Sequence, residues 1–327
     1  MKYKFACIYS SDGFDNDVLL NQIDLLRQLN YKFIYSDKVL SCDLLIVLRA
    51  EKDVFPFQSV NKNNIKHALF IDYSGQDVHI VFEKCEHPSK YLITSRPKII
   101  GNNIFQGSPF ISINRWIHNR KTDSYKKYDI VHIGHFKKNS SYDGLIQVFN
   151  DQVKKHNVDV FGNGWKDIVN AKYYHGHIDV KSVSKIYSES KLAIGIKHPF
   201  QRGLAISGRY WHAPLNGCLL LVEDDYMCDE IPGIIKINYE ADDIKVISNT
   251  YKIDSRNIQV QAINYWTKSN ELQLEILKGV QIIETYHSLS DYFSLKMKMI
   301  KNNLTLHLNF QKGILKYFLL SIKYFRK

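Results

Sequence analysis

The sequence predicts an α/β protein built from two doubly wound units in tandem. Three observations predict it. Apolar runs of strand length alternate with segments of helical spacing from Lys4 to Thr94. The alternation begins afresh at Tyr128 and runs to Asn238. A polar, basic stretch, Arg115–Lys127, separates the two series and reads as a linker. The expected division is residues 1–114, a linker over 115–127, a second unit over 128–253, and C-terminal helices with a basic tail over 254–327.

In the first unit, Lys4–Tyr9 alternates into a strand. The tight loop Ser10-Ser11-Asp12-Gly13 follows. Asp15–Leu29 then carries Val18, Leu19, Ile23, Leu25, Leu26 and Leu29 at helical spacing. Tyr31–Tyr35, Asp43–Leu48 and His67–Asp72 are further strands, with Ile80–Phe82 and Tyr91–Thr94 as shorter ones. Asp12 and Asp15 flank Gly13 where the first strand ends, the edge at which α/β sheets hold their ligands. They are the candidate catalytic bases. As ordinary structure, they make a turn and a helix cap. Asp15-Asn16-Asp17 has a metal-binding spacing but reads as the start of that helix.

The second unit starts with the strand Tyr128–Ile133 and the loop Gly134–Asn139, which contains Lys137 and Lys138. A helix near Tyr142–His156 and the strand Val158–Phe161 come next, closed by Gly162-Asn163-Gly164. Tyr173–Ile178 is a short strand and Lys181–Ser190 a helix. His175, His177 and Asp179 alternate along the strand, so they share a face and could converge on a metal. No fourth ligand accompanies them, and no metal site is expected.

The stretch Lys191–Asp225 organises the whole chain. It reads as the strand Lys191–Ile196, a basic loop over Lys197–Gly208, a helix over Arg209–Asn216 that Gly217 stops, and the strand Cys218–Val222. Such a loop sits at the carboxyl edge of a sheet, where the next helix aims its N–H groups and collects anions. Lys197, Arg202 and Arg209 add charged donors to this loop, which also holds Gly203, and the helix starts behind Ser207.

This stretch resembles the donor half of GT-B glycosyltransferases. Group 1 and spore-maturation-type members have a run R-x-F-E-A-x-x-x-G before an apolar strand. Arg209, Tyr210, Trp211, His212, Ala213 and Gly217 stand at those places. The run is also similar to the fucosyltransferase pattern T-E-K-L-W-x-A-x-x-A-G, with Arg209 at the phosphate-binding lysine. The resemblance implies the GT-B architecture: two Rossmann-like domains facing a cleft, with C-terminal helices that pack back on the first. It implies a diphosphate near Arg209 and a ribose near the glutamate position, which here is His212. Lys138 falls where the family has a phosphate-binding lysine, and His135 replaces the accompanying arginine. Gly162 and Asn163 belong to an F-G-x-G element, and His177 would line the pocket of the donor base. Plain alternatives exist for each: a solvated basic loop, a turn, and a buried Trp211.

Composition agrees with a folded, anion-seeking protein. The 327 residues are 45% hydrophobic and 13% aromatic, with a net charge of +11. The five cysteines are scattered and form no C-x-x-C pair, as expected of buried thiols in a reducing cytosol. The N-terminal apolar run is too short for a signal peptide, and no stretch is long enough to span a membrane. In the tail, Ile314, Leu315, Phe318, Leu319, Ile322 and Phe325 share a helical face beside Lys312, Lys316, Lys323, Arg326 and Lys327. Residues 313–327 therefore fit an anionic membrane surface, or a helix docked on the protein itself.

The expectation is a cytoplasmic glycosyltransferase, peripheral on the inner face of the membrane. It would move a sugar from a nucleotide sugar to a bacterial surface glycan or lipid-linked acceptor, such as lipopolysaccharide or capsule. No metal, cofactor or nucleic-acid partner is expected. The rivals are transfer of a different group, such as a phosphoglycosyl or amino-sugar unit, and a non-catalytic anion-, nucleic-acid- or membrane-binding protein on the same fold.

Overall fold

The computed structural model describes residues 4–11, 17–73, 77–96, 99–118, 126–136, 144–196, 207–223, 231–240, 244, 246–247 and 253–285. The first half contains β1 (Lys4–Ser10), α1 (Asp17–Gln28), β2 (Tyr31–Ser36), β3 (Cys42–Arg49), α2 (Phe57–Lys62), β4 (Ile65–Asp72), α3 (Val78–Lys84), β5 (Lys90–Thr94), β6 (Ile104–Gln106) and α4 (Ile113–Trp116). The second contains β7 (Tyr128–Ile133), α5 (Gly144–Lys155), β8 (Asp159–Phe161), β9 (Tyr174–Gly176), α6 (Val180–Ser188), β10 (Ser190–Gly195), α7 (Arg209–Leu215), β11 (Leu219–Glu223) and β12 (Ile234–Ile237). A long helix, α8 (Ser255–Thr285), follows.

Each half is a six-stranded sheet, ordered β2-β1-β3-β4-β5-β6 in the first and β12-β11-β10-β7-β8-β9 in the second. All pairings are parallel. Chain direction across each sheet reverses at one place, between β1 and β3 in the first and between β7 and β10 in the second. Those are the switch points, where loops diverge and leave a crevice at the carboxyl edge.

The central strands are apolar throughout, as strands covered on both faces must be. Leu45–Leu48 and Ala68–Ile71 are fully buried, and every residue of β11 is buried. One core cluster joins the halves. Leu25, Leu26 and Ile46 of the first half pack in the same cluster as Trp116, Trp211, Leu220 and Trp266. Cys7, Cys42, Cys85 and Cys218 are free and buried, and burial pushes the Cys218 thiol up to about 12.

The strand and helix series predicted from sequence is present, with three differences. Ile80–Phe82, expected as a strand, lies in α3. Val78, Val81, Phe82 and Cys85 are its buried residues, a 3-and-4 spacing that belongs to a helix. The expected boundary at about Asn114 falls inside α4, whose Trp116 is buried. The short elements α2 and β6 carry too few apolar residues to signal themselves.

The C-terminal helix packs back on the first half through a face that mixes apolar and amide side chains. Ala262, Trp266, Asn270, Gln273 and Leu277 are buried along it. Leu272 and Ile276 flank it half-buried. Asn270 clasps the Ile111 backbone with both ends of its amide, at 2.7 Å each. Gln273 accepts from the Phe110 N–H at 2.7 Å and donates to Gln22 of α1 at 2.6 Å. Buried backbone groups of the connecting strand are thereby satisfied without a sheet partner.

Candidate active site

The second switch point is occupied by Arg209, the first residue of α7. Its side chain lies over the ends of β10 and β7, where Gly195 makes room for it. A Cβ on Gly195 would stand 2.6 Å from Arg209 Cδ and 2.8 Å from its Nη1. A Cβ on Gly134 would stand 3.6 Å from Nη2. Arg209 Nη1 donates to the Ile196 carbonyl at 2.7 Å, which fixes the guanidinium at the carboxyl edge.

Buried polar groups hold the backbone under it. The Tyr239 hydroxyl donates to the Gly195 carbonyl at 2.7 Å and accepts from the Gly195 N–H at 3.2 Å. His132 donates from Nδ1 to the Ile194 carbonyl at 3.0 Å. Burial, and then the Arg209 charge, push the His132 pKa down to about 3, so the ring is neutral. The arrangement presents a fixed cation above the neutral His132 ring.

Helix α7 is short and closed at both ends. The N–H groups of Tyr210, Trp211 and His212 turn back to the Ser207 and Gly208 carbonyls, at 2.9, 3.2 and 3.1 Å. At the far end, Gly217 has φ +66°, Cys218 N–H donates to Ala213 and Gly217 N–H to Pro214, both at 3.0 Å. That is a Schellman stop, with glycine in the left-handed position that residues bearing a Cβ resist. Trp211 is core: it is buried and meets Trp266 edge-on at 6.2 Å.

The opposite wall comes from the first half. Asp17, which opens α1, accepts a hydrogen bond from His212 Nε2 at 2.7 Å. Its Oδ2 would lie 2.4 Å from a Cβ on Gly208. His212 also meets the edge of Trp116 at 4.4 Å. Four residues on, Asn216 donates to the Trp116 carbonyl and accepts from the His118 N–H, both at 2.8 Å. The first half thus meets α7 at both ends, through Asp17 at Gly208 and His212 and through Trp116 and His118 at Asn216.

Sequence comparison adds the family. Residues 144–291 match the model of a family described as glycosyl transferase-like. Curated protein sequences give no match. Among solved structures, the fold is similar to an alpha-glucosyltransferase in complex with UDP-glucose and DNA containing an abasic site, at 10% identity and a TM-score of 0.56, covering 85% of this chain and 100% of that one. It is also similar to AviGT4, a glycosyltransferase involved in avilamycin A biosynthesis, at 9% identity and 0.54, covering 85% and 98%. A third is the DNA-modifying enzyme beta-glucosyltransferase, at 15% identity and 0.53, covering 85% and 99%. The chain has the fold of these GT-B glycosyltransferases, and its residues 144–291 resemble a glycosyl transferase-like family.

Within that GT-B frame the expected site residues separate into three groups. Arg209 and Ser207 are at the second switch point. His212 is there too, but it faces Asp17 of the first half instead of opening towards a ribose. Gly162, Asn163 and His177 form a second cluster, beside the loop that follows β7. Gly162 has φ +140°, and a Cβ on it would stand 2.0 Å from the Gly134 carbonyl oxygen. Asn163 N–H donates to His135 Nδ1 at 3.0 Å, and His177 stacks on His135 with centroids 5.7 Å apart. The glycine's close approach is therefore to this loop. Asp12, Asp15, Lys138, Lys197, Arg202, Gly203 and the tail 313–327 lie outside the described residues.

His175, His177 and Asp179 go to separate partners. His175 pairs with Asp159 at 2.6 Å. Asp179 caps α6 through the Ser182 N–H at 2.7 Å. Among the described residues no three His, Cys, Asp or Glu side chains gather as a metal site. Likewise, no described helix is long and apolar enough to cross a membrane. Sequence reasoning missed Asp17, His132 and Tyr239. Asp17 was visible within Asp15-Asn16-Asp17, where the helix start explained it away.

Proposed function

We propose that this enzyme transfers a sugar from a nucleoside-diphosphate sugar, with Arg209 neutralising the diphosphate as it leaves. The observation that carries the reading is the guanidinium fixed over Gly195 and Gly134 at the second switch point. Charge builds on the diphosphate oxygen as the sugar–oxygen bond breaks. A cation already fixed in place stabilises that charge without reorganising. Arginine suits the task because it stays charged and offers several donors to one phosphate. A side chain meets the need that a metal meets elsewhere, so transfer should survive chelation.

For the acceptor, the reading keeps a surface glycan or lipid-linked saccharide, supported by the sequence resemblance and by the basic amphipathic pattern of 313–327. A cytoplasmic, membrane-peripheral location goes with it. A second reading is a hydroxylated base in DNA. The net charge of +11 favours it, as do fold neighbours that are a DNA-modifying enzyme and a glucosyltransferase bound to DNA.

The test is release of UDP from UDP-glucose, and of GDP from GDP-mannose, with and without EDTA. Oligosaccharide, lipid-linked saccharide and hydroxymethylated duplex DNA would be supplied in turn. Release stimulated by one acceptor, unaffected by EDTA and lost in Arg209→Ala, is the expected result. Release that only DNA stimulates, falling steeply with salt, would move the acceptor to the second reading. No release and no nucleotide binding would overturn the transferase reading.

A further inference from the structure

Helices α1 and α7 both start at the carboxyl edge of a sheet, and their first turns meet across the cleft. At that meeting point Asp17 is 25% exposed in its side chain and His212 only 3%. One Asp17 oxygen takes the His212 Nε2–H. Gly208, just before Arg209, lets the carboxylate come within contact of the α7 backbone. An oriented carboxylate that keeps access to solvent therefore stands against the first turn of α7, the turn that also carries Arg209. His212 Nδ1 is buried with no hydrogen-bond partner. Leaving a ring nitrogen so costs stability that a purely structural contact could avoid.

We propose that Asp17 is the base that takes the acceptor's proton, and that His212 positions it. This rests on the glycosyl-transfer reading above. The acceptor O–H bond breaks and its proton goes to Asp17. The oxygen's electron pair forms the bond to the anomeric carbon as the bond from that carbon to the diphosphate oxygen breaks. That pair leaves on the diphosphate, beside Arg209. Attack from the side opposite the leaving group inverts the anomeric centre.

Asn at position 17 can still accept the His212 N–H, so Asp17→Asn keeps the contact between the halves and removes only the basicity. The assay is hydrolysis of UDP-glucose or GDP-mannose by the full chain, with water as the acceptor. Calorimetry with UDP and GDP runs beside it. Asp17→Asn is expected to bind the nucleotide and melt as the wild type does, while kcat falls about 10²–10⁴-fold with KM unchanged. His212→Gln, which keeps an N–H donor, is expected to retain more of kcat than His212→Ala. The released sugar is expected to have the anomer opposite to the donor's. Wild-type kcat in Asp17→Asn, or a sugar released with the donor's anomer, would overturn the proposal while leaving the function intact. A wild type that binds neither nucleotide would overturn the function itself.

Discussion

The two switch points of this molecule are built in different ways. In the second half, chemistry rests on local backbone: Gly195 opens a notch, and Arg209 fills it from a helix a few residues away. In the first half, the described contribution to the cleft is one carboxylate, Asp17, and its partner lies 195 residues further along the chain. The hydrogen bonds behind it are equally distant: Gln22 and Gln273 are 251 residues apart. One switch point is specified by its own segment and the other by how the halves meet. Changes at the first should act on donor binding, and changes at the second on the relation between the halves.

The largest effect expected on the donor side of this comparison is that of Arg209→Ala. Loss of a fixed charge at the leaving group should lower kcat roughly 10²–10³-fold, about 2.7–4 kcal/mol, in a steady-state assay of nucleotide release. Stability should change little, because the guanidinium is held by one carbonyl. An inactive variant that also melts early would blur the contrast between the two switch points.

Gln273→Leu should act the other way. It leaves the buried Phe110 N–H and the Gln22 amide without their partner, at a cost of about 2–3 kcal/mol. Urea unfolding should show a lower midpoint, with nucleotide affinity of the remaining folded protein unchanged. Next in size is Gly195→Ala. The added methyl would collide with Arg209 Cδ, so the guanidinium must move and donor affinity should fall about tenfold, or about 1.4 kcal/mol. Equal affinity would show that the notch does not place Arg209.

The smallest effect belongs to the rim of the first half. Asp24 binds Arg115 through both oxygens, at 2.5 and 2.6 Å. Burial raises the Asp24 pKa, but the hydrogen bonds from Arg115 and Ser112 outweigh it and hold the carboxyl below its usual value. A depressed carboxyl stabilises the fold above its unfolded value, near pH 3.9, and loses that contribution as pH falls through the folded value. Arg115→Ala should therefore cost about 0.5–1 kcal/mol at pH 7 and little below pH 3, in unfolding measured at both.

The same contrast decides what the sequence could reveal. Both sheets were legible, because their strands are buried on both faces and read as apolar runs. Gly217 and Arg209 were legible because a helix stop and a charged helix start are local features. Strand spacing misled at Ile80–Phe82 because a three-residue run hides the helical period of Val78, Val81, Phe82 and Cys85. Trp116 was hidden inside a stretch whose charges made it look like a linker, although Arg115 there is spent on Asp24. Asn270 and Gln273 break the apolar pattern of α8, yet they are among its most buried residues. Their role depends on a backbone strand more than 150 residues away. His212 stood out as a departure from a glutamate position, but what it meets is set by the packing of the halves.

The most direct test of the account is calorimetric titration of the wild type and Arg209→Ala with UDP, GDP, ADP, CMP and dTDP. The account predicts that one nucleotide binds the wild type and that the variant binds it at least tenfold more weakly, with an unchanged melting temperature of the free protein. Unchanged affinity in the variant, or no binding of any of the five by the wild type, would contradict it.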